Sequence, residues 1–248
     1  MPVEAIELIL PDVHLQHLIA QRIISSVPHT HLTLLGDYFD DFYDNPAQAA
    51  ATAQWLATLL DAHPAAEGYL TALTGNHDLP YRFPNNGALE CSGWTAAKSF
   101  AIRSHMHDRH WGRLGAYRRT QGWLLSHAGF HPTLLATAKA FPSPANESKA
   151  WKAAETGSWH PWFAVGRDRG GFDSFGGPFW CDWSQLPATP GVKQIVGHSR
   201  GGAVRYNSGG GGVEGMAKTR YCLDTHLAHY GVLQSGELQV GAVADLPA

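Results

Sequence analysis

The chain has 248 residues, 44% of them hydrophobic, which is enough for one large domain with a substantial core. Eighteen Lys and Arg against 21 Asp and Glu give a formal charge of -3, so no general field draws the protein onto DNA, RNA or anionic lipid, and any phosphate must be attracted locally. Cys91, Cys181 and Cys222 are odd in number and contain no CxxC pair, which argues against a disulfide framework or thiolate zinc site and reads as buried free thiols.

In chain order, the start MPVEAIELILPDVH lacks a basic n-region and breaks at Pro11. Neither a signal peptide nor a membrane span is expected there, and a cytoplasmic location follows. Short apolar runs predict buried strands over 5–10, 31–35, 69–73, 122–125 and 193–196. Helices are predicted over 15–27 and 46–63, the second with Pro46 near its start, giving a βαβαβ alternation and an α/β fold. Residues 80–94 are rich in turn formers, and 95–107 can form a helix. The stretch 142–190, aromatic and rich in Gly and Pro, reads as loops covering a site within one domain spanning 1–248. Strands over 203–206, 219–224, 230–234 and 237–240 read as an antiparallel series, with a flexible loop over 207–212.

The polar residues fall where chemistry is built. IELILPDVH, HLTLLGDYFD, YLTALTGNHD, WLLSHAG and QIVGH each place metal-capable side chains directly after an apolar run. Five strands thus deliver potential ligands to one edge, the carboxyl edge at which α/β sheets carry their sites. Asp12 and His14 are two apart, so in extended backbone both project to one face and can chelate one ion. The donors are carboxylate and amide oxygen with imidazole nitrogen and no sulfur, a set suited to Mn, Fe, Co or Zn rather than copper. Two divalent ions against Asp12, Asp37 and a bridging hydroxide leave a local charge of about +1, enough to attract phosphate to an acidic chain. Two such ions about 3.5 to 4 Å apart can activate water and clamp a phosphoryl group for in-line displacement.

In this order PDVH, GDYFD, GNHD, SHAG and GH resemble the five blocks of the calcineurin-like metallophosphoesterase superfamily, over the span from Asp12 to His198. The ending YCLDTHLAHYGVLQSGELQVG resembles its Ser/Thr phosphatase and diadenosine tetraphosphate hydrolase branch. The resemblance implies a four-layer α/β/β/α sandwich with a dimetal site at the C-terminal edge of the strands. Asp12, His14 and Asp37 would hold one metal, with Asp37 bridging, and Asn76, His127 and His198 would complete the second. His77 would stabilise the transition state or protonate the leaving oxygen, oriented by Asp40. The implied cofactors are two divalent ions, manganese first, with Fe, Zn or Co as alternatives. The implied activity is hydrolysis of phosphomonoesters by metal-held hydroxide, on a phosphorylated small molecule such as a nucleotide or dinucleoside polyphosphate. A phosphodiesterase or protein phosphatase of the same fold is the alternative.

The chain departs from the family pattern in three places. Pro11 and Leu15 replace glycines flanking the first block, and the usual DRG reads Asp40-Asp41-Phe42. That removes an arginine that would grip a phosphate oxygen bidentately. Arg200, where other branches carry a second histidine, is the first substitute, ahead of Arg103, Arg169 and Arg205.

Rival readings attach to other segments. Gly197-His198-Ser199-Arg200-Gly201 fits the G-x-S-x-G elbow of a serine esterase with Ser199 as nucleophile, but the following GGAVRYNSGGGG cannot form the helix that the elbow requires. A catalytically inactive scaffold would be expected to lack ligands, and none is missing. His105, His107 and His110 read as solvated surface rather than a further metal site. Trp151, Trp159, Trp162, Trp180 and Trp183 read as loop core rather than a base-stacking platform. Gly209 to Gly212, with no Lys-Ser or helix after them, read as a mobile loop rather than a phosphate cradle.

Overall fold

The computed structural model describes residues 5–208 and 218–247. The described strands are β1 (Ile6–Leu10), β2 (His31–Leu34), β3 (Leu70–Leu73), β4 (Leu114–Gly115), β5 (Tyr117–Thr120), β6 (Trp123–Ser126), β7 (Lys193–Val196), β8 (Arg205–Ser208), β9 (Lys218–Cys222), β10 (His229–Gln234) and β11 (Glu237–Ala242). They form two sheets, of order β11-β10-β1-β2-β3-β4 and β5-β6-β7-β9-β8. Described helices are α1 (His17–Ser26), α2 (Pro46–Ala62), α3 (Leu79–Arg82), α4 (Ala96–Arg103), α5 (Asp108–Trp111), α6 (Pro132–Leu135) and α7 (Pro144–Thr156).

The predicted βαβαβ unit is present: β1 pairs in parallel with β2, and β2 with β3. Strand alternation then distributes the core. Leu8, Leu10, Leu32 and Leu34 pack with Ala20 and Ile23 of α1 and Ala53, Leu56 and Leu60 of α2. Ile9, on the opposite face of β1, packs with Leu35, Leu73, Trp123, Leu125, Ile195 and Leu223, so side chains of both sheets share this cluster. A third cluster joins Leu124, Phe130, Trp162 and Phe179 to Ala150 and Ala154 of α7. Glu7, buried on β1, accepts from Arg118 Nε of β5 at 2.7 Å, an ion pair that ties one sheet to the other.

Several elements differ from the sequence reading. The segment 142–190 is not all loop, because α7 occupies 13 residues of it. Ser143 caps that helix by accepting from Asn146 N, and Pro144 takes the first turn, where its missing N–H costs nothing. Trp162 is buried as expected, whereas Trp159 is 74% exposed. The C-terminal strands are not one antiparallel series: β9 runs parallel to β7 and antiparallel to β8, while β10 and β11 form a hairpin beside β1. Helix α1 begins only at His17, because His14 and Leu15 have φ of 40° and 65° and turn the chain first. Residues 95–107 yield only α4, and His110 in α5 is not solvated surface but 1% exposed, with Nε2 3.1 Å from Asp61 Oδ1. From residue 209 onward, the loop expected over 207–212 lies outside the described residues. No described helix is long and apolar enough to cross a membrane.

Candidate functional site

Asp12, His14, Asp37, Asn76, His127 and His198 all follow the carboxyl ends of parallel strands, β1, β2, β3, β6 and β7, and all six are buried. The turns that place them are tight. Gly36 has φ of 105° and lies so close to the Gly75 backbone that a Cβ would clash. A Cβ on Gly197 would likewise strike the Asp12 carboxylate. His14, Asp37, Asp40 and His198 themselves hold φ of 40°, 50°, 66° and 64°, a left-handed region costing non-glycine residues about 1–3 kcal/mol each and concentrated at functional sites.

The six side chains meet. Asp12, His14 and Asp37 each offer a donor atom within 4.8 Å of the others, and so do Asp37, His127 and His198. The two triads share Asp37. Asn76 Oδ1 lies 2.9 Å from His127 Nε2, which is 3.2 Å from His198 Nδ1 and 3.4 Å from Asp37 Oδ2. Backbone carbonyls orient the imidazoles: His14 Nδ1 is 2.7 Å from Asp40 O and His127 Nδ1 is 3.1 Å from Leu35 O, which turns each Nε2 inward. His14 Nε2 then lies 3.8 Å from Asp12 Oδ2 and 3.7 Å from Asp37 Oδ2, beyond hydrogen bonding but suited to an ion between them. Main-chain N–H groups fix the carboxylates, that of His198 donating to Asp12 and that of His77 to Asp37 Oδ1 at 2.9 Å.

The electrostatics indicate what fits. Burial raises the carboxyls of Asp12 and Asp37 well above the ordinary range, Asp224 adding to the first and Asp12 to the second. Burial also lowers the imidazoles, His14 to about 4 and His127 and His198 well below the usual value. Neutral imidazoles cannot balance these acids, and His198 Nε2 is buried without a hydrogen-bond partner among the described residues. A site of acid oxygens and lone-pair nitrogens with that deficit fits divalent cations.

Beside the triads, His77 Nδ1 lies 3.3 Å from Asp40 Oδ2. Asp40 Oδ1 accepts from Tyr81 Oη at 2.5 Å and Lys98 Nζ at 2.7 Å. Burial alone would raise the Asp40 carboxyl, but the hydrogen bonds from His77, Lys98 and Tyr81 outweigh it and hold it below its ordinary value. Asp78 accepts from the backbone N–H of Asp37, Tyr38 and Gly75, stitching two of these turns together, and burial pushes it up to about 7.

Of the arginine candidates, Arg200 lines the cavity above the triads, 3.7 Å from Asp41 Oδ1. Arg169 lines it too, but its Nη2 is spent on Asp182 at 2.8 Å and Ser199 Oγ at 2.9 Å. Arg103 bonds Tyr81 O, and Arg205 faces Cys222 Sγ, both away from the cavity lining. Ser199 Oγ also accepts from Trp183 N at 2.9 Å, and the next described element is a strand, so the serine-elbow arrangement is absent. The described cysteines are free: Cys181 and Cys222 are buried, while Cys91 is half-buried with Sγ 3.5 Å from His77 Nδ1.

Lys98 and Tyr81 carry no local sequence signal, since their partner Asp40 lies 58 and 41 residues away in the chain. Asp224 was legible only as the residue following an apolar run, the same placement as the other five strand-end acids and histidines.

No family model matches the chain, and no curated protein matches it. Solved structures do. A cold-active protein-tyrosine phosphatase of a psychrophilic Shewanella species superposes with TM-score 0.56 and 14% identity, over 97% of this chain and 82% of that one. A protein serine/threonine phosphatase from Saccharomyces cerevisiae gives 0.55 and 14%, over 96% and 79%. The chain therefore shares the fold of these phosphatases.

Proposed function

We propose that this calcineurin-like chain is a binuclear metal-dependent phosphoesterase acting on phosphomonoesters. One observation carries the reading: two buried donor triads share Asp37, so a single carboxylate can bridge two ions. Asp12, His14 and Asp37 would hold one ion, and Asp37, Asn76, His127 and His198 the other. The three packing clusters, helix against sheet, sheet against sheet and sheet against helix, support a four-layer sandwich with this centre at its strand ends. When bound, two divalent ions there would supply an activated water and neutralise phosphoryl oxygens; manganese is the first choice, with iron, zinc and cobalt as alternatives.

The chain's own groups do the rest. Backbone carbonyls at Leu35 and Asp40 accept from Nδ1 of His127 and His14, which would leave each Nε2 lone pair for an ion. His77, oriented by Asp40, delivers a proton to the leaving oxygen. Arg200, which lines the same cavity, would meet a phosphate oxygen in lieu of the family's arginine. Nucleotides and dinucleoside polyphosphates are the first substrates to assay and phosphopeptides the next, with the cytoplasm as the expected setting. The test is hydrolysis of p-nitrophenyl phosphate and its bis ester by protein reloaded with manganese. The reading expects monoester turnover that disappears on chelation and returns with metal; protein that binds metal yet cleaves neither ester would overturn it.

A further inference from the structure

The segment after Asp40 lacks the family's arginine and carries instead two aromatic side chains. Phe42 and Tyr43 are 82% and 103% exposed. Both line the cavity of roughly 930 Å³ that also contains His77 and His198. Trp180 lines the same cavity from the segment preceding β7 in the other sheet, its ring 6.1 Å from that of His198.

Exposed rings on a loose loop would collapse onto the nearest apolar surface, but this loop is anchored. Asp44 accepts from Asp41 N at 3.1 Å and from Lys98 Nζ at 2.8 Å, and that lysine is 2% exposed. Asp41 accepts from Phe42 N at 2.8 Å and faces His226 Nε2 at 3.1 Å. Asp40 and Tyr43 both adopt left-handed backbone, with φ of 66° and 62°. The rings are therefore held out by a built platform. Its first residue, Asp40, is the one that orients His77, so the lip rises beside the group that would serve the leaving oxygen.

We infer that Phe42 and Tyr43, with Trp180 on the same cavity, form a stacking subsite for the organic part of the substrate, and that the preferred phosphate esters carry a planar aromatic or heteroaromatic leaving group. The inference rests on the phosphoesterase reading and narrows it. The cavity volume lies within the range of about 300–1,000 Å³ typical of small-molecule sites. Aromatic faces accept planar rings without hydrogen-bond readout, so a nucleobase and a phenyl ring share the required chemistry.

The experiment compares AMP, ribose 5-phosphate and phenyl phosphate on the full manganese-loaded chain, together with Phe42→Ala/Tyr43→Ala and Phe42→Leu/Tyr43→Leu. AMP and ribose 5-phosphate share the scissile ester and differ in the base. The wild type should favour AMP by about tenfold or more in kcat/KM, consistent with the value of one stacked base. Both double variants should lose that preference through KM while ribose 5-phosphate stays within about twofold, the leucine pair showing that rings rather than apolar bulk matter. Loss on AMP alone would assign the subsite to heterocycles, and loss on phenyl phosphate as well would assign it to planar rings generally. Equal turnover of AMP and ribose 5-phosphate by the wild type, an equal loss on both in the variants, or unchanged kinetics in the variants would each overturn the subsite. Activity on ribose 5-phosphate isolates that failure from failure of the phosphoesterase reading, which would leave all three esters intact.

Discussion

Replacing Lys98 with methionine tests how the site is built, because methionine retains much of the apolar stem and deletes the ammonium. Lys98 is 2% exposed, and its Nζ lies 2.7 Å from Asp40 Oδ1 and 2.8 Å from Asp44 Oδ2. Removing one partner of a buried ion pair costs about 3–5 kcal/mol, because the remaining charge stays desolvated. Asp40 keeps its bonds from Tyr81 and His77, and Asp44 keeps that from Asp41 N, so the lower end, about 3 kcal/mol, is expected. At roughly 2–4 °C per kcal/mol for a chain of this size, Tm should fall by about 6–12 °C. The sign of the pH dependence follows from Asp40, whose folded carboxyl lies below its ordinary 3.8. Its contribution is complete above that ordinary value and is lost as pH falls through the lower folded value. Thermal unfolding followed by circular dichroism should therefore show the full gap between wild type and Lys98→Met near neutral pH and a shrinking gap below about pH 4. A loss under about 1 °C at neutral pH, or a gap that is as wide in acid, would refute this account of Lys98.

Three further substitutions separate the roles proposed above. His77→Ala should slow turnover by about 10²- to 10⁴-fold with metal content unchanged, as atomic absorption on dialysed protein would show. Ser199→Ala should keep metal-dependent turnover within a few fold and lose about 1 kcal/mol of stability, because its hydroxyl serves Arg169 and Trp183 N; abolished activity in a stable protein would revive the esterase reading. Arg200→Ala should raise KM for phosphate esters by about tenfold or more, and an unchanged KM would remove it from the substrate site.

The sequence revealed much of this arrangement because strand ends and turn glycines are local signals. An apolar run followed by Gly-Asp or Gly-Asn-His states both the strand and the side chain at its end, and the five runs with such endings converge as parallel topology requires. The parallel pairing of β9 with β7 was not legible, since alternation specifies a strand but not its neighbour. Helix α7 was hidden by reading Pro144 as a loop former, although a Ser-Pro pair is also how helices begin. The support beneath Asp40 was invisible for another reason: Lys98 and Tyr81 reach it from α4 and α3, and a contact across such separations leaves no periodicity or spacing to read. The exposed Phe42 and Tyr43 ran against the ordinary expectation for aromatic side chains, and only the anchored loop gave that exposure a meaning.

The most direct measurement is the metal stoichiometry of the intact chain after equilibrium dialysis against manganese, in wild type and Asp37→Asn. Two ions per wild-type chain, falling to one or none in the variant while the fold is retained by circular dichroism, is the predicted result. Binding of fewer than one ion to the wild type, or two ions held equally well by Asp37→Asn, would contradict the shared-carboxylate centre.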